Sequence, residues 1–330
     1  MMSLEFLPAP LEIVLQGGQM NSRALTIVTH VASQLMYRWI PPVSNDDFVH
    51  LPPFDVEAAR ERDWLEFISY LTLTSDYVNS WWPKFQKKMR DDGRQLAAAI
   101  YTHLAAIRMS GAHYVVYSDE SYPQILRHMT DAPLGLTFTG DPSLFDRFAV
   151  SVVGSRKASP FAIQQSQTVG TMLAERGVVV VSGGAFGCDI AAHFGVLAGG
   201  IKPAPAICVF AGGLQSLYPR SNYAIFAKLQ GRSGIMLTER LWQAPCRPAD
   251  FTARNRIIAG LSRITLVMQA AQRSGALVTA RRALDQGADV YVLQHPADDI
   301  RAVGSHALMG EGAPTFADGQ DLLRQLDGDL

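Results

Sequence analysis

From Ala149 onward, short apolar runs rich in β-branched residues alternate with helical segments, and this rhythm most narrows what the chain can fold into. Ala149–Val153 reads as a buried strand and Pro160–Arg176 as a helix. Val178–Val181 with Asp189–Ala198, and Ala206–Phe210 with Asn222–Leu229, repeat the pair. Further strands are predicted at Ile235–Thr238, Ile264–Met268 and Asp289–Leu293, with a helix at Ala276–Gln286 between the last two. Apolar runs without polar alternation are buried on both faces, and strand–helix alternation makes the strands parallel. The expected fold is α/β, and such sheets bind ligands at the carboxyl ends of their strands.

The preceding residues read differently. Val56–Leu73 places Trp64, Phe67 and Ile68 on one helical face. Trp81-Trp82-Pro83 interrupts the pattern, and Gln95–Met109 resumes it with Leu96, Ile100, Leu104 and Ile107. Residues 1–110 are therefore expected to form a smaller helical domain without visible chemistry, its Trp pair a core or interface anchor, with Pro41–Pro53 as a loop. Tyr114–Tyr117 and Leu134–Thr139 are two more expected strands. Residues 111–330 form the second predicted domain.

Charge is divided between the halves. Residues 1–150 hold 12 lysines and arginines against 17 acidic residues, and residues 151–330 hold 17 against 13. A phosphate-binding site is therefore expected in the second half. The spacing of Cys188, Cys208 and Cys246 fits no zinc motif, and reduced, mostly buried thiols are expected. No signal peptide or membrane-spanning run is visible, so a soluble, cytoplasmic protein is expected.

The residues that can carry chemistry fall where the strands end. Gly154-Ser155-Arg156-Lys157 offers a glycine, a hydroxyl and two cations before a helix, which suits a phosphate cradle or a plain turn. Ser182-Gly183-Gly184-Ala185-Phe186-Gly187-Cys188-Asp189 is a glycine-rich loop that suits approach of an anion, with Asp189 read as a helix cap. Neither is a G-x-G-x-x-G fingerprint or a P-loop. Gly212-Gly213 makes another turn, followed by Tyr218-Pro219 and Asn222. Arg254-Asn255-Arg256 stands before an apolar run, and arginine suits both phosphate and bases. Phe251 reads as core or as a base-stacking ring. Ser274-Gly275 opens a helix whose first amides suit an anion. Arg156, Lys157, Arg254 and Arg256 are expected to line one basic groove. There is no metal-ligand spacing, cofactor motif or catalytic triad order, so a non-enzymatic binding site without metal or cofactor is expected.

These residues resemble the DNA-processing protein A family (DprA, also called Smf). The resemblance rests on Ser121-Tyr122-Pro123, Gly154-Ser155-Arg156, the loop Ser182–Asp189, and Gly213-Leu214 with Tyr218-Pro219 and Asn222. Its most specific parts are Arg254–Ser262 and Arg273-Ser274-Gly275-Ala276-Leu277 with Thr279-Ala280. It implies an extended Rossmann-like domain that dimerises, binds single-stranded DNA in a positive pocket and delivers it to a RecA-like recombinase. Carried over by position, Arg156, Arg254 and Arg256 contact phosphates, helped by backbone amides at Gly154 and Gly183-Gly184. The implied DNA-binding set is Gly154, Ser155, Arg156, Lys157, Ser182, Gly183, Gly184, Phe186, Arg254, Asn255, Arg256, Ser274 and Gly275.

The chain departs from the family pattern in several places. Phe186 replaces a usual arginine, Gln269-Ala270-Ala271-Gln272 a more acidic stretch, and Gln294-His295-Pro296 a Pro-Gly pair. His306 stands where asparagine is usual. The Gly-Leu-Gly-rich hairpin of many relatives is absent near the N-terminus, and no winged-helix domain is expected after Leu330. These departures keep a second role open: an antitoxin of this family, binding a phosphoribosyltransferase-like toxin in phage defence. Its partner surface would be the helical domain with Trp64, Trp81 and Trp82. A nucleotide-cleaving enzyme of related fold is disfavoured, since Gly212-Gly213 is followed by Leu214 and not by that group's threonine and glutamate.

Overall fold

The computed structural model describes residues 18–36, 55–56, 58–73 and 82–326. The chain divides into two compact units, residues 1–102 with 118–120 and residues 103–117 with 121–330.

The first unit contains helices α1 (Gly18–Met36) and α2 (Glu61–Leu73) and most of α3 (Trp82–Ser110), which is broken at Asp92 (φ −123°, ψ 19°). The spacing of Trp64, Phe67 and Ile68 puts all three inside, with Ile27, Val28, Val31, Met89 and Ile100 also buried. Trp64 is fully buried, which corrects its assignment to a partner surface. Trp81 and the Pro41–Pro53 loop lie outside the described residues, as does the side chain of Trp82.

The second unit runs β1 (His113–Val116), α4 (Gln124–Arg127), β2 (Gly135–Thr139), β3 (Ala149–Val153), α5 (Pro160–Glu175), β4 (Val179–Ser182), α6 (Cys188–Ala198), β5 (Ala206–Phe210), α7 (Tyr223–Gln230), β6 (Ile235–Thr238), α8 (Pro248–Gly260), β7 (Ile264–Val267), α9 (Gly275–Asp285), β8 (Asp289–Leu293), α10 (Val303–Gly310), β9 (Thr315–Phe316) and α11 (Gly319–Leu326). Among the described residues nine strands form one sheet in the order β1-β2-β6-β5-β4-β3-β7-β8-β9. The seven strands from β3 to β9 are parallel, as their alternation with helices requires. The sheet is nevertheless mixed, because β1 and β2 pair antiparallel and β2 pairs antiparallel with β6. Arg254–Ser262, left unassigned from sequence, falls on α8 and its end.

Alternation along β3 builds two cores. Val150 and Val152 join Ala162, Val169, Leu173, Ala192 and Val196 on one face. Ala149 and Val153 join Ile257, Ile258, Ala280 and Ala283 on the other. Helices α5 and α6 approach closely because both carry glycine where they meet. A Cβ at Gly195 would fall on the Gln167 carbonyl oxygen, and one at Gly170 on that of Ala192. Thr171 Oγ1 donates across the same contact to the Gly195 carbonyl at 2.9 Å. This packing fixes the start of α6, and with it the loop after β4.

From β3 the chain steps outward through β4, β5 and β6, then returns past β3 to β7 and β8. The strand order therefore reverses between β3 and β7, the place where sheets of this kind open a ligand crevice.

Candidate functional site

The crevice at the reversal is closed by the protein itself. Ser155 N donates to Gln269 O at 2.8 Å across it. The fully buried Gln269 side chain accepts from Ser159 N at 2.8 Å and donates to Asp299 Oδ2 at 2.8 Å and to Ser159 Oγ at 3.2 Å. Ser159 caps α5, its Oγ accepting from Ala162 N. The helix N-terminus that would take a phosphate is thus occupied by Ser159 and Gln269.

The loop after β4 is also filled from within. Asp189, buried on the first turn of α6, accepts from Gly183 N at 3.2 Å. Burial raises its carboxyl pKa, while Arg254 and the Ala185, Gly154 and Gly183 backbones oppose the rise. Asp189 is therefore not the helix cap expected; that position is Gly187. Gly183 and Gly184 are buried, and their lack of a side chain serves internal packing. A Cβ at Gly183 would meet the Arg254 guanidinium, and one at Gly184 would lie 2.7 Å from Cys208 Sγ and 2.8 Å from Phe226. Asn222 Nδ2 donates to Gly184 O at 3.0 Å and holds the same turn. The Gly154 and Gly183 amides, expected as phosphate donors, both face Asp189.

The two arginines of α8 part company. They are two residues apart, about 200° around a helix, so they leave on opposite sides. Arg254, 6% exposed, sends its guanidinium under Gly183 and donates from Nη1 to the Val209 carbonyl oxygen. Arg256 pairs with Glu239 at 2.5 Å and Asp131 at 3.5 Å. Burial lowers its pKa, but Glu239 and Asp131 outweigh this and raise it. Arg256, expected to line the basic groove, is thus held by two carboxylates of the fold.

Other members of the expected set are committed to the fold as well. Ser182 Oγ donates to Val152 O at 2.6 Å, and Asn255 Nδ2 to Gly275 O at 3.3 Å. Ser274 caps α9, its Oγ accepting from Leu277 N. Ser155 Oγ accepts from Lys157 N at 3.2 Å. Gly275 is exposed at the start of α9.

What faces outward is a cation among aromatic rings. Arg156 and Lys157 are exposed on the turn after β3. The Arg156 guanidinium lies 4.8 Å from the centre of the Phe251 ring, and Tyr218 meets Phe251 edge-on at 5.8 Å. Phe186 and Tyr218 are 43% and 48% exposed. A Cβ at Gly187 would fall on Ser155 O, so the loop carrying Phe186 presses on the turn carrying Arg156. Sequence reasoning underrated Tyr218 and Phe251. The signal was present: Phe251 stands three residues before Arg254 on one helix face. A groove beside the crevice, lined by Ser159, Phe161, His295, Asp299, Ile300 and Arg301, contains none of the expected site residues.

Among the described residues no group of three or more His, Cys, Asp or Glu side chains is placed to hold a metal, and no helix is long and apolar enough to cross a membrane. The doubly wound, mostly parallel sheet, with aromatic rings and a cation on its carboxyl rim, defines a Rossmann-like α/β protein. Residues 113–327 match the family described as DNA recombination-mediator protein A, and the chain belongs to that family. It is 34% identical to Protein Smf of Escherichia coli over 229 residues, which are 69% of this chain and 60% of Smf. It is 37% identical to DNA processing protein DprA of Streptococcus pneumoniae over 209 residues, 63% of this chain and 72% of that protein. The match thus spans less than two thirds of Smf. The solved structure of the S. pneumoniae DprA superposes with a TM-score of 0.64 at 26% identity, covering 95% of this chain and 98% of that one. DNA processing protein A from Helicobacter pylori, whose structure addresses its single-stranded DNA binding mode, gives a TM-score of 0.59 at 27% identity, covering 66% of this chain and 97% of that one.

Proposed function

We propose that this chain binds single-stranded DNA on the surface formed by Arg156, Lys157, Phe251, Tyr218 and Phe186. The observation that carries the reading is the Arg156 guanidinium held over Phe251 at 4.8 Å, with Tyr218 against the same ring. Single strands present unstacked bases and a phosphate chain, and they are gripped by aromatic faces combined with cations, largely without sequence preference. Both internal anion positions, at the β3–β7 crevice and in the loop after β4, are filled by Gln269 and Asp189. This favours an extended strand laid on the rim over a nucleotide sunk into the sheet.

The cellular role that fits is DNA processing and recombination without catalysis, in which a bound strand is passed to a RecA-like recombinase by a homodimer. The test is fluorescence anisotropy of a labelled oligothymidine at two salt concentrations, with Arg156→Glu alongside. Salt-sensitive binding lost in the variant supports the reading. Binding that ignores salt, or survives the charge reversal, sinks it.

A further inference from the structure

Resting on that reading, we propose that Arg254 is a positioning residue of the DNA site and not a phosphate ligand: together with Asp189 it forms an internal scaffold that holds the Ser182–Gly187 loop and presents Phe186. Three observations converge. The guanidinium lies beneath Gly183, so close that a Cβ there would stand 2.6 Å from Cζ. Its Nη1 is spent on the carbonyl oxygen of Val209 at the end of β5, and the residue is 6% exposed. The amide of Gly183, on the other side of the loop, is taken by Asp189 at 3.2 Å. The group that takes the Gly183 amide is therefore the protein's own carboxyl, and the arginine packs against the same glycine.

Asn222 holds one carbonyl of the loop, that of Gly184, while Arg254 and Asp189 hold its Gly183 end. Gly184 (φ +62°) and Gly187 (φ +78°) are in the left-handed region, which is open to many alternatives once contacts loosen. Phe186 lies between them on the exposed side. Loss of either contact at Gly183 loosens the loop, so the stacking ring moves while Arg156 and Lys157 stay on their own turn after β3.

The decisive variant is Asp189→Asn, which keeps the side-chain shape and removes the charge. If Arg254 is a positioning residue, oligothymidine affinity falls about tenfold and the slope of log K against log salt is unchanged. If Arg254 is a phosphate ligand restrained by Asp189, the same variant frees it: affinity rises and the slope steepens by about 0.7, the increment for one phosphate neutralised on a single strand. That result overturns the proposal. Arg254→Gln gives the complementary arm: lost affinity at constant slope supports positioning, and a slope reduced by about 0.7 overturns it.

A second readout separates positioning from general damage. Phe186→Trp provides an emission signal, read as the excess over the parent chain, that stacking on thymine quenches. In the Phe186→Trp background, Asp189→Asn should abolish the quenching while residual salt-dependent binding and a cooperative thermal transition persist. Retained quenching overturns the proposal. Failure of the parent chain to bind oligothymidine at low salt would instead defeat the single-strand reading itself, and the two failures are distinguishable.

Discussion

Gln269 occupies the place where sheets of this strand order leave room for a ligand, and its amide is used at both ends. The carboxamide suits the position because it faces a donor, Ser159 N, and an acceptor, Asp299 Oδ2, each at 2.8 Å. Gln269→Glu would set two carboxylates against each other. Two carboxyls facing each other hold their protons more tightly in the folded state than in the unfolded chain, so the variant comes closest to the parent at low pH and loses stability as pH rises through the raised carboxyl range. The expected deficit at pH 7.5 is about 2–3 kcal/mol, the scale of a hydrogen bond to a charged group lost in a buried place. Urea unfolding at pH 4.5 and 7.5 checks it. His193 acts with the opposite sign. Burial on α6 lowers its pKa to about 4, below the ordinary value of 6.5. The unfolded chain therefore takes up a proton first, and stability is lost as pH falls from about 6.5 toward 4, by up to about 3 kcal/mol. His193→Gln should flatten that part of the pH–stability curve; an unchanged curve would show that another group causes the acid sensitivity.

At the scale of elements, the site depends on how closely α5 and α6 meet. Gly195→Ala would drive a methyl into the Gln167 carbonyl, a backbone atom that cannot swing aside. We expect a loss of about 2 kcal/mol or more, the cost of overpacking, visible as a lower denaturation midpoint. DNA binding should weaken as well, because the start of α6 carries the loop with Phe186. Helix α8 shows why an element can mislead when read as a string. Arg254-Asn255-Arg256 looks like one basic motif, yet the helical turn divides it. One arginine lies beneath the Gly183 loop, the second pairs with Glu239 and Asp131, and the asparagine ties α8 to Gly275.

Across the whole molecule, the net charge of −1 leaves little long-range attraction for a polyanion, and binding must come from the local rim. With Arg156 and Lys157 as the exposed cations of the proposed surface, the salt slope expected is about −1.4, or about a sevenfold loss of affinity between 50 and 200 mM salt. Arg156→Ala with Lys157→Ala should remove most of that slope. A much steeper slope in the parent would reveal further phosphate contacts elsewhere on the sheet rim. The division of charge between the chain's halves agrees with a site on the second unit, where both cations stand.

How much of this was legible in advance depends on the range of the interactions involved. Hydrophobic periodicity is local, so the sequence by itself determined the alternating strands and helices and the parallel core from β3 onward, and it put Trp64 on one helical face with Phe67 and Ile68. Pairing across long separations is not local. Only the tertiary structure decided that β2 runs antiparallel between β1 and β6, because neither β1 nor β2 carries a sign of its neighbour. Burial and partner choice followed the same rule. Nothing near Arg256 in the chain announces Glu239 or Asp131, and nothing near Gly183 announces that Arg254 lies beneath it. Glycine signals close approach without naming what approaches. Here the neighbours are Cys208, Phe226, Arg254 and the Ser155 carbonyl. Which cations remain exposed at the rim was thus settled by packing: a buried charge must find a partner in space, and the fold supplies that partner from a distant part of the chain.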